Sequence, residues 1–426
     1  MQRSIKEYQQ LVLTQSEAKT LMIDQLVDSI RFKLDNSGFP ELAQEIEKLI
    51  LSRGPKPDPM PLIGKSKTPR PDPIRILHLS DLHFNESNNP ESRFSSLVSD
   101  IEDPQKWLES PKIDFLVVSG DLTDRATPKE FEQAQTLIAK VMEYFKIPKE
   151  KCIIVPGNHD LSWATRVYDW DHKTEDDLKN LPKDSYVKQG DGYLIRLDEQ
   201  YPKRFDNFAA FYKGLLNEQF STDDIKDQCL PYLFEEDGLQ FLTLNSSWQI
   251  DRYFPKRASI NSDALERGLT KASNQIRKAK SERKLSEEAE ILRIAICHHP
   301  VRGKEQIEED AFLDRLRQAD FKLCLHGHVH EIRAEIIGYW DPRHIYIVGA
   351  GSFGASADAL PDAMPQLYNV IEIERDHSQI RVHTRCKEKS SGPWEGYAKW
   401  PGPTNTEKRT YYDIILKNQE KDNRNP

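Results

Sequence analysis

From residue 74 onward, the sequence alternates between short apolar runs and longer amphipathic or polar stretches. Short runs that are apolar at nearly every position predict strands buried on both faces. Such runs occupy residues 74–80, 115–119, 152–155, 241–245, 291–297 and 321–325. Residues 344–349, 368–373 and 379–383 predict further strands with few helices between them. The pattern therefore predicts a domain rich in β-sheet.

Helices are predicted between these strands. Residues 127–130 read Thr-Pro-Lys-Glu, which combines an N-cap, a proline in the first turn and a capping-box glutamate. One apolar helix face follows at a spacing of three or four positions, at Phe131, Ala134, Ile138, Val141 and Phe145. The alternation of strands and helices predicts an α/β (α+β) fold with a mixed sheet or a two-sheet sandwich.

The two ends of the chain differ from this domain in their pattern of apolar and polar residues. Residues 1–51 place apolar side chains at helical spacing and predict a small helical module. Residues 52–73 are rich in proline and predict an extended, semi-rigid linker. The main domain is expected over residues 74–390, with an insertion at about 163–238. Residues 391–426 are expected to form a polar, partly disordered tail.

Composition narrows the class of protein. Hydrophobic residues make up 37% and charged residues 30% of the chain, and no apolar run is long enough to span a bilayer. No apolar signal core opens the sequence, so a cytoplasmic protein without a membrane partner is expected. The net charge of −9 argues against a surface built wholly for nucleic acid. The five cysteines form no CxxC pair and are expected to be reduced core residues.

Short polar motifs directly follow five of the predicted strands. They are Asp81-Leu82-His83, Gly120-Asp121-Leu122-Thr123-Asp124, Gly157-Asn158-His159-Asp160, His298-His299-Pro300 and Gly327-His328-Val329-His330. Loops at strand ends are where α/β folds usually hold their functional residues. Carboxylate, amide and imidazole groups are ligands that hard or borderline divalent ions accept. One such motif is common by chance, whereas five in sequence predict a metal site with two divalent ions.

The ordered motifs DxH, GDxxD, GNHD, H and GHxH resemble those of the calcineurin-like metallophosphoesterases, over about residues 74–385. Residues 76–84, Ile-Leu-His-Leu-Ser-Asp-Leu-His-Phe, resemble the bacterial phosphodiesterase branch of that superfamily most. The resemblance implies a fold of two packed mixed sheets flanked by helices. It also implies a dinuclear centre and hydrolysis of a phosphate ester.

The resemblance further implies a ligand set. One ion would be held by Asp81, His83, Asp121 and His330, and the other by Asp121, Asn158, His298 and His328, with Asp121 bridging the two. Either His298 or His299 could be the ligand in the fourth motif, and the family pattern favours His298. Manganese or iron suits these ligands, while zinc remains an alternative.

Mechanistic roles follow from the same resemblance. A hydroxide bridging the two ions would attack phosphorus, and His159 would act as the general acid on the leaving oxygen. Asp160 is expected to join His159 in the catalytic group. Asp124 and His299 are expected around the ligands, where they would orient them.

The substrate is left open between several classes. A phosphodiesterase acting on a cyclic nucleotide or another small diester is expected first, with a DNA or RNA nuclease as its close rival and a monoesterase third. The insertion is expected to select the substrate, either by stacking its aromatic residues on a base or merely by packing them in its own core. A different class of hypothesis makes residues 1–51 an interaction module that recruits the enzyme to a protein partner.

Overall fold

The computed structural model describes residues 72–103, 107–108, 110–171, 177–183, 185–303, 305–329, 334–337, 344–354, 364–389, 392–401 and 407–416. Nearly all of them belong to one compact unit, Pro73–Trp400 together with Lys408–Leu416. The helical module expected over residues 1–51, the linker up to residue 71 and the tail from residue 417 lie outside the described residues.

The described helices are few and separate groups of strands. They are α1 Pro90–Ile101, α2 Pro128–Phe145, α3 Asp206–Leu216, α4 Ser262–Ser281 and α5 Ala311–Gln318. The first strands are β1 Ile74–Leu79, β2 Phe115–Val118, β3 Cys152–Ile154, β4 Tyr168–Asp171, β5 Tyr186–Gln189, β6 Gly192–Arg196, β7 Pro231–Phe234, β8 Leu239–Thr243 and β9 Leu292–Ile296. The later strands are β10 Phe321–His326, β11 Ala334–Ile337, β12 Ile345–Gly349, β13 Gln366–Ile373, β14 Gln379–Lys387, β15 Glu395–Gly396, β16 Trp400–Pro401, β17 Lys408–Arg409 and β18 Tyr411–Ile415.

Two mixed sheets form the body of the domain. The first has the order β15-β14-β13-β1-β2-β3, with β18 also paired to β14, and the second has the order β11-β12-β10-β9-β8-β7. Strands β1, β2 and β3 run parallel in the first sheet, as do β8, β9, β10 and β12 in the second. Antiparallel strands complete the first sheet on the β13 side of β1 and the second sheet at both edges.

The two sheets pack face to face over an apolar core, and β1 shows why its sequence is mostly apolar, with Arg75 and His78 as its polar residues. Ile74 and Ile76 point into the core between the sheets, together with Val117 and Ile294 of neighbouring strands. The alternate positions of β1 belong to a second cluster that includes side chains of α1 and α2. Because successive residues of a strand face opposite sides, a strand covered on both faces is apolar at most positions. Its buried polar side chains have partners: Arg75 donates to Glu372, and His78 contacts Ser119. The predicted fold of two packed mixed sheets with flanking helices is confirmed.

Helix α2 begins as its sequence predicts. The Thr127 side chain accepts a hydrogen bond from the backbone N–H of Glu130, and the Glu130 carboxylate accepts one from the backbone N–H of Thr127. This reciprocal pair satisfies two donors that a helix start otherwise leaves unpaired. The helix therefore starts at a fixed point directly after the second polar motif.

Residues 163–238 interrupt the strand order with local structure of their own. Strands β4, β6 and β5 form a small antiparallel sheet, and α3 packs against α2 through Phe211 and Phe131, whose ring centroids lie 5.3 Å apart. The buried Arg204 guanidinium donates to the carbonyl oxygen of Trp248 at 2.7 Å. The segment is thus joined to the loop that follows β8.

The described part of the C-terminal segment continues the first sheet. Strand β18 pairs with β14 from Gln379↔Ile415 to His383↔Tyr411. The domain boundary predicted at residue 390 therefore falls inside the sheet. Strand β18 reads Tyr-Tyr-Asp-Ile-Ile and is a short, largely apolar run within an otherwise polar segment. Within the residues that the structure describes, no helix combines the length and apolar character required to cross a membrane.

Candidate metal centre

The polar motifs meet because they all follow parallel strands. Asp81 and Asp121 follow β1 and β2 in one sheet, and His298 and His328 follow β9 and β10 in the other. The backbone N–H of Asp81 donates to the carbonyl of Gly120 at 3.0 Å, and that of Gly327 donates to the carbonyl of His298 at 2.9 Å. The loops of each sheet are therefore hydrogen-bonded to one another before any side chain is considered.

Four of the predicted ligands adopt a left-handed backbone conformation. The φ angles are 52° for Asp81, 42° for His83, 51° for Asp121 and 64° for His328. This region costs a residue with a side chain roughly 1–2 kcal/mol, although Asp and His enter it more readily than most. Such conformations persist where the surrounding structure enforces them, and they concentrate at functional sites.

Two glycines allow the loops to approach the ligands closely. A Cβ atom at Gly157 would collide with the Asp121 carboxylate, and one at Gly327 would collide with the Ser80 hydroxyl. Both collisions involve buried groups that cannot move aside. Glycine at these two positions is therefore a requirement of the geometry of the centre.

Asp121 lies between two groups of possible ligands. Its Oδ1 accepts a hydrogen bond from the backbone N–H of His159 at 2.8 Å. Its Oδ2 lies 3.1 Å from Nε2 of His298 and 4.0 Å from Nε2 of His83. The carboxylate therefore faces one histidine of each predicted metal site, as a bridging ligand must.

The second predicted site is closely assembled around His298. Its Nε2 lies 3.2 Å from Oδ1 of Asn158 and 3.2 Å from Nδ1 of His328. Ligands that bind one ion at about 2.0–2.2 Å lie roughly 3 Å apart when they are adjacent in its coordination sphere. The Nδ1 of His298 contacts the carbonyl oxygen of Ser119 at 2.7 Å, so Nδ1 carries the proton and Nε2 presents a lone pair.

Asp81 carries an unsatisfied oxygen in the first predicted site. Its Oδ2 accepts hydrogen bonds from the Ser80 hydroxyl at 2.5 Å and the backbone N–H of His328 at 3.0 Å. Its Oδ1 is buried and has no hydrogen-bond partner among the described residues, while Nε2 of His83 lies 3.7 Å away. An unpaired buried carboxylate oxygen is costly, so this position suits a cation.

The residues present therefore fit a pair of divalent ions. Ligand atoms lie within 4.8 Å of one another in three groups: Asp81 with Asp121 and His298, His83 with Asp121 and His159, and His298 with His299 and His328. Two of the three groups share Asp121. His330, the remaining predicted ligand, lies outside the described residues.

Opposite charges keep the Asp121 carboxylate ionised and hold protons on His83 and His298 as long as no ion is bound. Burial alone would lower the pKa of His83 and His298, but their carboxylate neighbours outweigh it and raise the pKa values to about 10 and about 9. Burial would raise the pKa of the Asp121 carboxyl, yet His298 and His159 hold it well below its ordinary value. Burial lowers the pKa of His328 and favours its neutral form. When no ion is bound, the protons on His83 and His298 balance the negative charge of the carboxylates. Metal binding would release these protons.

His159 is held at the edge of the centre by its own loop. Its Nδ1 contacts the backbone carbonyl of Asp124 at 2.9 Å, so Nδ1 donates a hydrogen bond to that carbonyl. Its ring packs edge-on against His83 with centroids 4.9 Å apart. The Asp124 carboxylate lies 3.7 Å from Nδ1 of His83, close enough for charge attraction but too far for a direct hydrogen bond.

Asp160 is placed differently from His159, with which it was grouped. Its Oδ1 accepts hydrogen bonds from the backbone N–H and hydroxyl of Thr123, both at 3.1 Å, and its Oδ2 accepts one from the N–H of Gly157 at 2.9 Å. Burial raises its pKa to about 6. The carboxylate is fully buried and joins the second loop to the third. These contacts favour a positioning residue over one that touches substrate.

His299 and His298 have different surroundings. The Nδ1 of His299 lies 2.8 Å from the Ser246 hydroxyl, which also accepts hydrogen bonds from the backbone N–H groups of His298 and His299. The ring of His299 packs on that of His328, with centroids 4.5 Å apart. Since His298 makes the contacts to Asp121, Asn158 and His328, these favour His298 as the ligand. Ser246 was missed in the sequence, although it follows β8 as the other motifs follow their strands.

Comparison with known proteins decides the family. The profile of calcineurin-like phosphoesterases matches residues 74–331, which is more than half of the chain. The chain belongs to the calcineurin-like phosphoesterase family. The family implies a phosphoester hydrolase with a dinuclear centre of divalent ions, and the histidine and aspartate groups described above are its candidate ligands.

Relatives of this calcineurin-like phosphoesterase include two curated bacterial proteins. The chain is 23% identical over 315 residues to the uncharacterized metallophosphoesterase-like protein YydB of Bacillus subtilis, covering 72% of this chain and 58% of that protein. It is 30% identical over 94 residues to the 3′,5′-cyclic-nucleotide phosphodiesterase alr5338 of a Nostoc species, covering 22% of this chain and 33% of that protein. The chain thus spans less than two thirds of either relative.

Among solved structures, the chain is similar to the purple acid phosphatase PPD1 of yellow lupin. The TM-score is 0.42 at 13% identity, over 80% of this chain and 53% of that one. Vps29 of Cryptosporidium parvum also matches, with a TM-score of 0.30 at 10% identity, over 76% of this chain and 96% of that one.

Proposed function

We propose that this calcineurin-like phosphoesterase is a phosphodiesterase that hydrolyses a small phosphate diester with the help of two divalent ions. The observation that carries the proposal is the shared carboxylate of Asp121, which faces His83 on one side and His298 on the other. A second support is the buried Oδ1 of Asp81, which has no hydrogen-bond partner among the described residues.

The first ion would be held by Asp81, His83 and Asp121, with His330 as the expected fourth ligand. The second would be held by Asp121, Asn158, His298 and His328. When bound, such ions supply Lewis acidity toward phosphoryl oxygens and an activated water as the nucleophile. The ligands contain carboxylate, amide and imidazole groups without a thiolate, which suits Mn²⁺ or Fe²⁺, with Zn²⁺ as the alternative.

The remaining work falls to His159. Its Nδ1 contacts the Asp124 carbonyl at 2.9 Å, and its backbone N–H donates to the Asp121 carboxylate at 2.8 Å. These two hydrogen bonds fix both the ring and the backbone of His159. With both ring nitrogens protonated, His159 would keep the Nδ1 proton on the Asp124 carbonyl and deliver the Nε2 proton to the leaving oxygen of the diester. Asp160 would act only through the loop that it ties to Thr123.

A nucleoside diester is the substrate class that we place first. Trp163 follows His159 by four residues and is 49% exposed, which suits stacking on a base. Most aromatic residues of the insertion are instead buried: Tyr168, Tyr193, Phe205, Phe208, Phe211 and Tyr212. The relative from Nostoc carries the name of a cyclic-nucleotide phosphodiesterase, which agrees with this order of preference.

A nuclease receives less support from the surface. Several basic residues of α4 and of the turn after it have acidic neighbours, as on a solvated helix face. Lys271 contacts Asp227 at 2.9 Å, and Lys284 contacts Glu282 at 2.8 Å. These lysines are therefore already neutralised in part and form no free track for a polynucleotide backbone.

A substrate panel tests the proposal. The metal-free full-length chain would be reloaded with Mn²⁺, Fe²⁺ or Zn²⁺ and assayed on bis-p-nitrophenyl phosphate, p-nitrophenyl phosphate, cyclic nucleotides, and single- and double-stranded nucleic acids. We expect metal-dependent hydrolysis of the diesters, with cyclic nucleotides preferred over the simple aryl diester. Turnover of polynucleotides alone would favour the nuclease, and turnover of the monoester alone would exclude the diesterase.

A further inference from the structure

A carboxylate outside the five motifs contacts one of the proposed ligands. Oε2 of Glu305 lies 2.9 Å from Nε2 of His328. Glu305 stands in the loop that joins the fourth motif to α5, and its side chain is 49% exposed, whereas that of His328 is only 13% exposed. The contact therefore reaches from the surface into the centre.

The two ring nitrogens of His328 face different partners. Nδ1 lies 3.2 Å from Nε2 of His298, within the group of ligands, and Nε2 points to the carboxylate. An ionised carboxylate can only accept a hydrogen bond, so Nε2 must be the protonated nitrogen. The lone pair of the neutral ring is then on Nδ1, where the second ion would bind.

The loop holds Glu305 in an unfavourable backbone conformation. Its φ angle is 57°, in the left-handed region, and glutamate is not among the residues that enter this region readily. The loop is closed by a hydrogen bond from the N–H of Ile307 to the carbonyl of Pro300 at 2.9 Å, and by one from the N–H of Glu308 to Ala258 at 2.8 Å. A strained residue in a closed loop that contacts a ligand indicates a role beyond the surface.

We propose that Glu305 is a positioning residue of the second metal site, which orients His328 and fixes the tautomer that presents Nδ1 to the ion. The inference rests on the proposed dinuclear function. Carboxylates that accept from metal-bound histidines raise the basicity of the ligand, and their loss typically weakens metal binding by about 10–100-fold. An exposed ion pair without this role would contribute almost nothing.

Direct metal binding tests the role without using catalysis. Mn²⁺ would be titrated calorimetrically into the metal-free full-length chain and into its Glu305→Ala and Glu305→Gln variants. We expect one of two Mn²⁺ ions to bind about 10-fold or more weakly in Glu305→Ala, and the other to be unchanged. Glu305→Gln should lie between Glu305→Ala and the parent, because the amide oxygen can still accept from Nε2 without a charge.

Glu309→Gln is the matched control. Glu309 is an exposed acid four residues away and has no hydrogen bond or ion pair among the described side chains. If Glu309→Gln weakened Mn²⁺ binding as much as Glu305→Gln, the effect would come from the general loss of negative charge, and the inference would be overturned. Parent-like binding in Glu305→Ala, with an unchanged melting temperature, would also overturn it. A parent chain that binds no Mn²⁺ would overturn the dinuclear function itself, which separates the two failures.

Discussion

The core between the sheets and the metal centre at the strand ends lie next to each other along the same strands, yet they differ in side-chain polarity and backbone conformation. In the core, Ile76 and Ile294 are fully buried apolar residues in regular strands. A few positions later, Asp81 and His298 are buried almost as completely but are polar, and Asp81 has a left-handed backbone. Burial thus contributes stability in the first region and costs stability in the second.

The difference shows how the protein maintains a centre that is unfavourable on its own. The strands anchor each ligand loop within a few residues of a core side chain, so the loops cannot relax into less strained conformations. Natural folds depart from local preferences mainly at functional sites and compensate elsewhere. Four variants or treatments test this division, and their effects should fall from the centre to the periphery.

The largest effect is expected at the shared carboxylate. Asp121→Ala should reduce kcat/KM on a small diester by roughly 10³-fold or more, the upper range for removal of one electrostatic group. The free energy of unfolding of the metal-free chain should change much less than the activation barrier. Steady-state kinetics and urea denaturation of the same preparation measure both quantities.

The exposed Asp223 provides the control for this change. Asp223→Ala removes the same chemical group from the surface and should leave kcat/KM at the parent value. Undiminished turnover by Asp121→Ala would remove the proposed centre from the mechanism altogether.

A core residue should show the reverse pattern. Ile294→Ala should lower the free energy of unfolding by about 2–5 kcal/mol, because it leaves a cavity between the sheets. The kcat of the folded protein should remain near that of the parent. Ile294→Val removes a single methylene and should cost only about 0.5–1.5 kcal/mol. Equal stability of the two variants would contradict the tight packing of this core.

Removal of the ions should reveal what they contribute to the fold. Stripping with a chelator should abolish activity while the circular dichroism of the sheets persists, since the core does not depend on the ligands. Restoring Mn²⁺ at 100 times its dissociation constant should stabilise the chain by about 2.7 kcal/mol per site. Unfolding of the stripped chain at room temperature would show instead that the ions hold the sheets together.

The smallest effect is expected at Glu372, a partly buried carboxylate that already has hydrogen-bond partners. Glu372 accepts from Nε of Arg75 at 2.8 Å and lies 2.9 Å from Nε2 of His383. Burial would raise the pKa of Glu372, but His383 and Arg75 together lower it from the ordinary value of 4.5. Ionised Glu372 therefore adds stability above pH 4.5, and this contribution is lost as pH falls through the lowered pKa.

Glu372→Gln should accordingly cost about 1–2 kcal/mol at pH 7, and the difference from the parent should shrink below pH 4.5. Urea denaturation at a series of pH values measures it. Glu388→Gln, at an exposed position, should have a small effect without this pH dependence. A cost for Glu372→Gln that persists unchanged into acid would show that shape, and not charge, matters at this position.

The strands that frame the centre could be predicted because burial on both faces requires mostly apolar side chains. The run at residues 115–119 has the same apolar character as the observed β2, and the motif that follows it supplies Asp121. The capping box of α2 was equally visible, since its two hydrogen bonds require particular residue types at fixed spacing. In both cases the structural constraint is local in sequence.

Other features depend on neighbours that are remote in the chain. The hydroxyl of Ser246 acquires its role only when β8 lies beside β9 and brings it to His298 and His299. Strand β18 reads Tyr-Tyr-Asp-Ile-Ile, so its sequence contains a short apolar run that the expectation of a polar tail did not use, but its pairing with β14 depends on distant residues. The role of Ser246 leaves no signal at short range, and the left-handed conformation of His83 leaves none either.

One hydrogen bond of the centre has a consequence for biosynthesis. The N–H of His328 reaches the Asp81 carboxylate across 247 positions of the chain. A nascent chain on the ribosome therefore lacks the proposed ligands His298 and His328 until β9 and β10 have been translated and have paired. Domains with such distant contacts fold slowly and late. A complete centre would bind its divalent ions only after synthesis, on a scaffold that has already folded, so metal availability would govern how much of the protein is active and not how much of it folds.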